Sequence, residues 1–283
     1  MDSFKTIGVE PELIKGLKEL GVNTPTEIQQ KAIPSLLSGK KDFVGQAETG
    51  TGKTVAFGVP LIQSCDPDVK GIQALVLSPT RELGKQIAKQ LFKFTKYYSK
   101  KVFVESCFGG DHIGIQMERL QRSTQIVVAT PGRLLDLVNR KAIDLSTLKT
   151  IVLDEADEML TMGFQSDIEK ILSIPVNSTN TWMFSATLPT GAQHIISSYL
   201  DPSYDKVQVS GGNKANPLIE HKFVICKIEN KVSLVHQFLR DQGTGRGVVF
   251  CKTKAGAEKL AKQIASRNVN ADSLHGDLSQ KER

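Results

Sequence analysis

The sequence is poor in cysteine and lacks long hydrophobic runs. Its four cysteines are spread over 283 residues without the spacing of a metal site or a disulfide framework, so we expect a protein of the reducing cytoplasm. No run approaches the roughly 18 apolar residues of a membrane helix. The start, MDSFKTIGVEPELIK, contains no apolar stretch of signal-peptide length. These absences argue against secretion and against membrane insertion.

The composition is that of an ordinary globular protein. Hydrophobic residues make up 40% and charged residues 23% of the chain, which argues against disorder, collagen and coiled coil. Lys plus Arg number 36 against 30 Asp plus Glu, and residues 220–283 hold 12 of the basic and 7 of the acidic residues. This bias is compatible with a polyanionic partner, although a solvated lysine-rich surface is the simpler explanation of the charge alone.

Short apolar runs alternate with longer segments in which apolar residues recur every three or four positions. The short runs are typical of buried strands, and the longer segments of amphipathic helices. The predicted strands are Lys41 to Gly45, Ala74 to Ser78, Val102 to Ser106, Gln125 to Ala129, Thr150 to Leu153 and Thr181 to Ser185. The alternation predicts an α/β fold in which helices cover both faces of a parallel sheet.

The pattern changes around residues 205–217, where Gly, Asn, Pro and Lys accumulate. We expect an N-terminal domain over residues 1–205, a linker over 206–219 and a second α/β unit over 220–283. Strands of the second unit are predicted at 221–228, 247–252 and 271–274, with helices at 231–240 and 255–267. A covered parallel sheet usually needs about twice this length. The second unit is therefore expected to be incomplete.

The sharpest motif follows the first predicted strand and has the form of a phosphate loop, with alanine in place of the usual first glycine. Its flexible glycines let backbone N–H groups wrap phosphate oxygens, and the N-terminus of the following helix favours anions. We expect Lys53 to reach the outer phosphates of a nucleotide and the Thr54 hydroxyl to hold Mg²⁺. The motif runs Ala47, Glu48, Thr49, Gly50, Thr51, Gly52, Lys53, Thr54.

Two adjacent carboxylates, Asp154 and Glu155, follow the predicted strand at 150–153. Ligands of open parallel sheets bind at the carboxyl ends of the strands. We assign Asp154 to the metal and Glu155 to the base that accepts a proton from attacking water. Acidic residues are also common at helix N-termini, but this simpler explanation has little weight beside a phosphate loop.

The order of these motifs resembles that of the DEAD-box family of ATP-dependent RNA helicases, of bacterial type, over essentially the whole chain. The resemblance implies two RecA-like domains, the second one partial here, that bind ATP and RNA and separate short RNA duplexes. Phe4, and the segment 21–29 with Thr26 and Gln29, match the adenine-reading element of the family. The resemblance implies that Phe4 stacks on adenine and that Gln29 hydrogen-bonds its edge; a surface glutamine at a helix start is the alternative.

Three loops after predicted strands match the elements with which the family grips the RNA sugar-phosphate backbone. Hydroxyls, a guanidinium group and glycines suit phosphates and carry no base identity. Taken singly each loop is an ordinary turn, but their joint order supports the assignment. The predicted RNA-binding residues are Pro79, Thr80, Arg81, Gly109, Gly110, Thr130, Pro131, Gly132 and Arg133. Gly84 stands where the family usually has Ala, a change that we expect to be tolerated.

Ser185 and Thr187 belong to a segment that matches the family element coupling ATP hydrolysis to RNA separation. Both hydroxyls could hydrogen-bond Asp157, although ordinary strand-end polar groups would look the same in sequence. With Lys53, Asp154 and Glu155, these three residues form the predicted catalytic set. In the second unit, Phe250, Gln280 and Arg283 match further RNA-contacting elements of the family. The aromatic residues Phe92, Phe94 and Trp182 are expected in the core.

Two further motifs of the family lie beyond the segment that matches Gln280 to Arg283, and neither is in this sequence. One of them supplies arginines to the outer phosphate, so we expect a truncated product or a partial record of a longer enzyme, with impaired hydrolysis. The alternative is an ATP-dependent RNA-binding fragment with little or no turnover. A DNA helicase is disfavoured by Gln29 together with residues 154–157. The expected partners are RNA and ribonucleoproteins, and no membrane.

Overall fold

The structure is a computed structural model that describes residues 3–39, 41–174, 179–209, 220–243, 245–278 and residue 282. The chain divides into two compact units, Met1–Lys214 and Ala215–Arg283. Most of the predicted linker, residues 210–219, lies outside the described residues. The proposed domain boundaries therefore stay a prediction.

The described part of the first unit is built on seven parallel strands. Their order across the sheet is β3-β4-β2-β5-β6-β1-β7, and every neighbouring pair is parallel. The predicted α/β fold with a parallel sheet is thus confirmed. The strands are β1 (Phe43–Gln46), β2 (Ala74–Leu77), β3 (Val104–Cys107), β4 (Ile126–Ala129), β5 (Thr150–Leu153), β6 (Asn180–Ser185) and β7 (Asp205–Gln208).

Helices cover both faces of the sheet, as parallel strands require. Because successive side chains of a strand point to opposite faces, the sheet separates two apolar clusters. On one face Phe43 packs against Phe184, with ring centroids 5.5 Å apart. Their chain neighbours Val44 and Met183 lie in the cluster on the other face. This two-sided burial explains why the central strands are almost entirely apolar.

The described helices connect consecutive strands or flank them. Short 3₁₀ turns occur at Thr95–Tyr97 and Ile228–Asn230. In the first unit the helices are α1 (Ser3–Thr6), α2 (Pro11–Glu19), α3 (Glu27–Ser38), α4 (Lys53–Ser64), α5 (Arg81–Phe94), α6 (Ile113–Leu120), α7 (Pro131–Asn139), α8 (Ala156–Thr161), α9 (Gln165–Leu172) and α10 (Thr190–Tyr199). In the second unit they are α11 (Lys231–Asp241) and α12 (Lys254–Ala265).

The sheet has one strand more than the sequence predicted. All six predicted strands are present, with bounds shifted by two residues at most. The additional strand, β7, lies where the linker was expected to begin and pairs with β1, with Asp205 opposite Phe43. Its sequence DKVQ is half exposed at the sheet edge, so it lacks the apolar run by which buried strands are recognised.

The three strands predicted in the second unit are wrong for the described residues, which form no strand at 221–228, 247–252 or 271–274. A strand exists only as part of a hydrogen-bonded ladder, and these apolar segments have no paired neighbour in the described part of the unit. Their large side chains are consequently exposed, for example Phe223 at 88% and Ile225 at 91%.

The cysteines do not form disulfides. All four are free. Burial raises the pKa of the Cys65 and Cys107 thiols to about 12, so neither is a thiolate nucleophile at neutral pH. Among the described residues, no helix is both long enough and apolar enough to cross a bilayer.

Candidate nucleotide and RNA sites

The predicted phosphate loop occupies residues 47–52, between the end of β1 and the start of α4. Gly50 and Gly52 have φ angles of 84° and 92°, a left-handed conformation that favours glycine. A Cβ atom at Gly52 would lie 2.2 Å from Nε2 of Gln29, so a larger residue there would displace the Gln29 amide. The Thr51 hydroxyl donates to the carbonyl of Glu48 at 2.7 Å and closes the turn. The strand, loop and helix expected of a phosphate loop are therefore present.

The predicted adenine-reading segment lies directly against this loop. The Gln29 amide accepts a hydrogen bond from the backbone N–H of Thr26 at 3.0 Å and donates to the carbonyl of Gly52 at 3.1 Å. The Thr26 hydroxyl donates to the carbonyl of Thr51 at 2.8 Å. Gln29 is 2% exposed, which excludes the alternative of a surface glutamine. Its contact with adenine stays a prediction.

Phe4 does not lie open to a ligand. Phe4 lies on α1, and its ring is completely buried in the apolar cluster that also contains Phe43 and Phe184. A ring without exposed surface cannot stack on a base unless its surroundings move. The arrangement therefore does not support the expected stacking of Phe4 on adenine, and the burial follows from neighbours that sequence position does not reveal.

Lys53 connects the phosphate loop to the acidic segment after β5. Its Nζ atom donates to the carbonyl of Ala47 at 3.1 Å and lies 3.1 Å from Oε1 of Glu155. The Thr49 hydroxyl lies 3.5 Å from the same carboxylate oxygen. Glu155 has a φ of 51°, a left-handed conformation that costs a non-glycine residue roughly 1–3 kcal/mol and is common at functional sites. The structure thus brings the two predicted motifs together.

Asp154 is a buried carboxylate at the carboxyl end of β5. Burial, together with the neighbouring charge of Glu155 and against the opposing effect of Lys53, raises its pKa to about 7. A hydroxyl such as that of Thr54 and a carboxylate are the oxygen ligands that Mg²⁺ prefers, usually one or two from the protein beside substrate phosphates. Among the described residues there is no group of three or more His, Cys, Asp or Glu that could hold a metal ion.

Asp157 joins α8 to the end of β6. Its carboxylate accepts hydrogen bonds from the backbone N–H and the hydroxyl of Thr187, at 2.8 and 2.7 Å. The Ser185 hydroxyl accepts from the backbone N–H of Asp157 at 3.1 Å. Burial alone would raise the pKa of Asp157, but these hydrogen bonds outweigh it and lower the pKa. The predicted contact between Asp157 and the two hydroxyl residues is present.

The three predicted RNA-binding loops converge around Asp111, at the carboxyl ends of β2, β3 and β4. Nη2 of Arg81 lies 2.6 Å from the Asp111 carboxylate, and Nη1 of Arg133 donates to the Asp111 carbonyl at 3.2 Å. Gly110 has a φ of 82°, and a Cβ there would lie 2.1 Å from Nη1 of Arg81. The two guanidinium groups therefore meet at Asp111, and that of Arg81 also packs against Gly110.

Two of these loops lead directly into helices, and the first residues of those helices are among the predicted RNA-binding residues. The Thr80 hydroxyl accepts from the backbone N–H of Leu83 at 3.2 Å and caps α5. Pro131 occupies the first turn of α7, after Thr130 as its N-cap residue. Both helix N-termini, with Gly132 and Arg133 in the second, thus lie at the same edge of the sheet.

Gln116 is a site residue that the sequence analysis missed. It lies on α6 and is 4% exposed. Its Nε2 donates to the carbonyl of Phe108 at 3.0 Å, and its Oε1 accepts from Nη1 of Arg133 at 2.8 Å. Gln116 therefore ties the segment before Gly109 to Arg133. A single polar residue in an amphipathic helix carries no sequence signal of such a contact.

Three aromatic residues were expected in the core, and two of them are buried there. Phe94 and Trp182 are in the core, at 1% and 2% exposure, but Phe92 is 71% exposed and its assignment to the core is wrong. The buried positions of α5 include Leu91 and Phe94, and Phe92 points away from the sheet between them.

The remaining predicted residues lie in the second unit. Phe250 is 94% exposed in a segment without regular structure. Gln280 and Arg283 lie outside the described residues. The RNA contacts assigned to these three residues stay predictions.

Comparison with known sequences gives one family. A profile of the DEAD/DEAH box helicase family matches residues 26–195. The chain is 39% identical over 283 residues to the ATP-dependent RNA helicase CshA of Listeria monocytogenes, covering 100% of this chain and 54% of that protein. It is 38% identical over 282 residues to the DEAD-box ATP-dependent RNA helicase CshA of Bacillus subtilis, covering 99% and 56%. The chain thus spans about half the length of the curated relatives it matches.

Solved structures match the same fold. A DEAD box protein from the hyperthermophile Methanococcus jannaschii is 35% identical with a TM-score of 0.70, covering 99% of this chain and 74% of that chain. Dbp5 of S. cerevisiae, bound to RNA and ADP BeF3, is 28% identical with a TM-score of 0.88, covering 100% and 71%. These matches confirm the RecA-like fold that the sequence analysis expected.

Proposed function

Because the chain belongs to the DEAD/DEAH box helicase family, we propose that it is the ATP- and RNA-binding part of a DEAD-box RNA helicase. In this proposal ATP binding and hydrolysis drive the local separation of short RNA duplexes. The observation that carries it is the contact of 3.1 Å between Lys53 and Glu155, because it unites the phosphate loop with the acidic strand end beside the predicted RNA loops.

The proposed ATP site lies at the carboxyl end of β1. Lys53 and the loop N–H groups of residues 49–52 bind the phosphates, and Thr26 and Gln29 hold the loop and contact the base. Thr54 and Asp154 would hold Mg²⁺, which neutralises charge on the outer phosphates. Glu155 accepts the proton of the attacking water. For this role it must release Lys53, which the phosphates then bind instead.

The proposed RNA site uses the sugar-phosphate backbone. Arg81 and Arg133 present guanidinium groups from two loops, and the glycine pair at 109–110 lets the strand approach closely. Contacts of this kind fix the position of a nucleic acid without reading its bases. We therefore expect RNA binding that depends strongly on salt and weakly on sequence. Ribonucleoproteins are the partners in which such an activity would operate.

Asp157 is proposed to transmit the state of the ATP site to the end of β6. It lies two residues from Glu155, and it holds Thr187 through two hydrogen bonds. A shift of the segment after β5 during the nucleotide cycle would move these bonds. The coupling of hydrolysis to RNA separation that the sequence analysis predicted would use this link.

A polypeptide of these 283 residues is proposed to turn ATP over slowly. The resemblance assigns the arginines at the outer phosphate to motifs that this sequence does not contain, and in related hydrolases such a residue contributes about 10³ to 10⁵ in rate. The alternative function, an ATP-dependent RNA-binding fragment without turnover, rests on the same observation. A polypeptide extended to the length of the relatives would separate the two: the main proposal gives slow turnover by the short chain and fast turnover by the long one.

The test of substrate class is a comparison of RNA with DNA. ATP hydrolysis would be measured with single strands of equal length and sequence, one of RNA and one of DNA. We expect greater stimulation by RNA, whose 2′-hydroxyl distinguishes the two. Greater stimulation by DNA would refute the RNA assignment. We also propose a cytoplasmic location, which the four free cysteines support.

A further inference from the structure

The exposed face of α5 carries a row of basic side chains that begins at the predicted RNA site. Arg81, Lys85, Lys89 and Lys93 follow one another at intervals of four residues. Residues four apart lie on the same face of a helix, about 6 Å apart along its axis. The row therefore extends for about 18 Å from the loops around Asp111.

The charge of this face is little compensated. Lys85 lies 3.7 Å from the Asp111 carboxylate. Lys89 and Lys93 are exposed, and neither forms an ion pair with any described residue. The α5 sequence contains a single acidic residue, Glu82, in the first turn. The rest of the helix thus presents positive charge, which complements a polyanion.

A large aromatic side chain lies within the same face. Phe92 is 71% exposed and follows Lys85 by seven residues and Lys89 by three, so it shares their side of the helix. Lysines with an interposed aromatic ring are typical of surfaces that bind single-stranded nucleic acid, since the bases stack on the ring while the backbone meets the charges.

The row is held rigidly and is continuous with the predicted site. Ile87, Leu91 and Phe94 anchor the opposite side of α5 in the core, and Thr80 caps its first turn. At the start of the row, Arg81 meets Asp111 beside the loop that contains Gly110. A strand bound at the loops could therefore continue along α5 without a break in positive charge.

We propose that Lys85, Lys89, Phe92 and Lys93, named here the α5 surface, form an accessory RNA-binding site. It binds the part of an RNA strand that extends beyond the nucleotides held by the three loops, through two or three phosphates and one stacked base. The inference rests on the proposed function, because the loops must bind RNA for the strand to reach α5. It predicts that affinity rises with RNA length.

The experiment measures RNA affinity by fluorescence anisotropy for strands of about 6 and about 20 nucleotides, at several salt concentrations. The variants are Lys89→Glu with Lys93→Glu, and separately Phe92→Ala. The control is Lys70→Glu, which makes the same substitution at a single exposed lysine in the loop before β2. Fluorescence of the single tryptophan, Trp182, buried in β6, verifies that each variant is folded.

We expect the double variant to bind the long strand about tenfold more weakly than the control does. The slope of log affinity against log salt should also be smaller in magnitude by about 1.4, which is the value for two lost phosphate contacts on a single strand. Phe92→Ala should weaken binding of the long strand about tenfold at every salt concentration, since stacking is not screened. Affinity for the short strand should not change.

Equal affinity of the variants and the control for the long strand would overturn the α5 surface while leaving the proposed function intact. An equal loss for short and long strands would also overturn it, because the residues would then act within the loop site. Failure of the unaltered chain to bind either RNA would refute the proposed function, and the α5 surface with it.

Discussion

Nζ of Lys53 lies 3.1 Å from Oε1 of Glu155, although the two residues are separated by about a hundred positions in the chain. Both side chains are largely buried, at 5% and 15% exposure. The contact joins the residue proposed to bind the phosphates to the residue proposed to accept the proton of the attacking water. Replacing either residue should affect a different step of the same reaction.

Replacing Lys53 by Ala should weaken ATP binding by about a hundredfold or more, because a charge-assisted contact to the phosphates is lost and Glu155 is left unpaired. The measurement is an equilibrium titration with a fluorescent ATP analogue. Lys31→Ala is the matched control, since Lys31 is half exposed on α3 and contacts Glu27. Equal affinity of the two variants would contradict the role of Lys53.

Replacing Glu155 by Gln should preserve ATP binding and lower turnover by about 10² to 10⁴-fold, the usual contribution of a general base. Gln keeps the size of the side chain, but it can neither accept the proton nor carry the negative charge that pairs with Lys53. The phosphates are proposed to replace that pairing, so ATP binding does not depend on it. Both quantities are measured on one sample, binding by titration and turnover by phosphate release. Turnover by the Gln variant at the rate of the unaltered chain would show that another group is the base.

Gln116 is expected to position Arg133 for RNA. In Gln116→Leu the guanidinium loses one of its acceptors and keeps the Asp111 carbonyl. RNA affinity should therefore fall by about five- to tenfold, or about 1–1.4 kcal/mol, which is comparable with the net contribution of one ordinary hydrogen bond. Gln116→Glu retains an acceptor for Arg133 and should keep most of the affinity. ATP affinity, measured in parallel, should not change. An equal loss of RNA affinity in both variants would indicate a purely structural role.

Gly84 and Phe108 fill one space between α5 and the segment after β3. A Cβ at residue 84 would lie 2.3 Å from Cε1 of the fully buried Phe108 ring. Gly84→Ala should therefore lower the free energy of unfolding by about 1–3 kcal/mol despite the better helix propensity of Ala. Adding Phe108→Leu should restore part of the loss. Urea unfolding followed by Trp182 fluorescence measures both, and a stabilised Gly84→Ala variant would contradict the packing.

Asp42 links three segments at the start of β1. Its carboxylate accepts from the backbone N–H groups of Thr181 at 2.6 Å and Asp201 at 2.7 Å. Asp42→Asn can retain only one of these bonds. The free energy of unfolding should therefore fall by about 1–3 kcal/mol, the cost of an unsatisfied buried N–H group.

The pH dependence of this difference follows from the pKa of Asp42. Burial raises that pKa above its ordinary 3.8, and the two hydrogen bonds oppose the rise. The folded chain then binds the proton more readily than the unfolded one, so the contribution of Asp42 is greatest at low pH and declines as the pH rises through the raised pKa. The difference in unfolding free energy between the unaltered chain and the Asn variant should shrink above about pH 4. A difference that grows with pH would show that the pKa is lowered.

The sequence was sufficient for features that are local or that follow from strand direction. The phosphate loop is contiguous, and the carboxyl ends of parallel strands share one edge of the sheet. The proximity of Lys53 and Glu155 could therefore be predicted, although about a hundred residues separate them in the sequence. The contact of Asp157 with Thr187 follows from the same geometry, because β5 and β6 are neighbours.

The features that escaped prediction depend on neighbours that are distant in sequence. Phe4 is buried because of what packs over it, and Phe92 is exposed because α5 turns its apolar face elsewhere. Gln116 gains its role only when α6 lies beside Arg133. β7 is a strand because β1 offers it an edge, whereas the apolar segments of the second unit have no such edge among the described residues.

The central proposal is that this chain hydrolyses ATP in response to RNA through the site around Lys53 and Glu155. Its most direct test is steady-state ATP hydrolysis by the 283-residue chain with and without single-stranded RNA. The Glu155→Gln variant is the control for hydrolysis that does not use this site. The account predicts slow hydrolysis that rises when RNA is added and that is about 10² to 10⁴-fold slower in the variant. Hydrolysis that is indifferent to RNA, or that is as fast in Glu155→Gln, would contradict it.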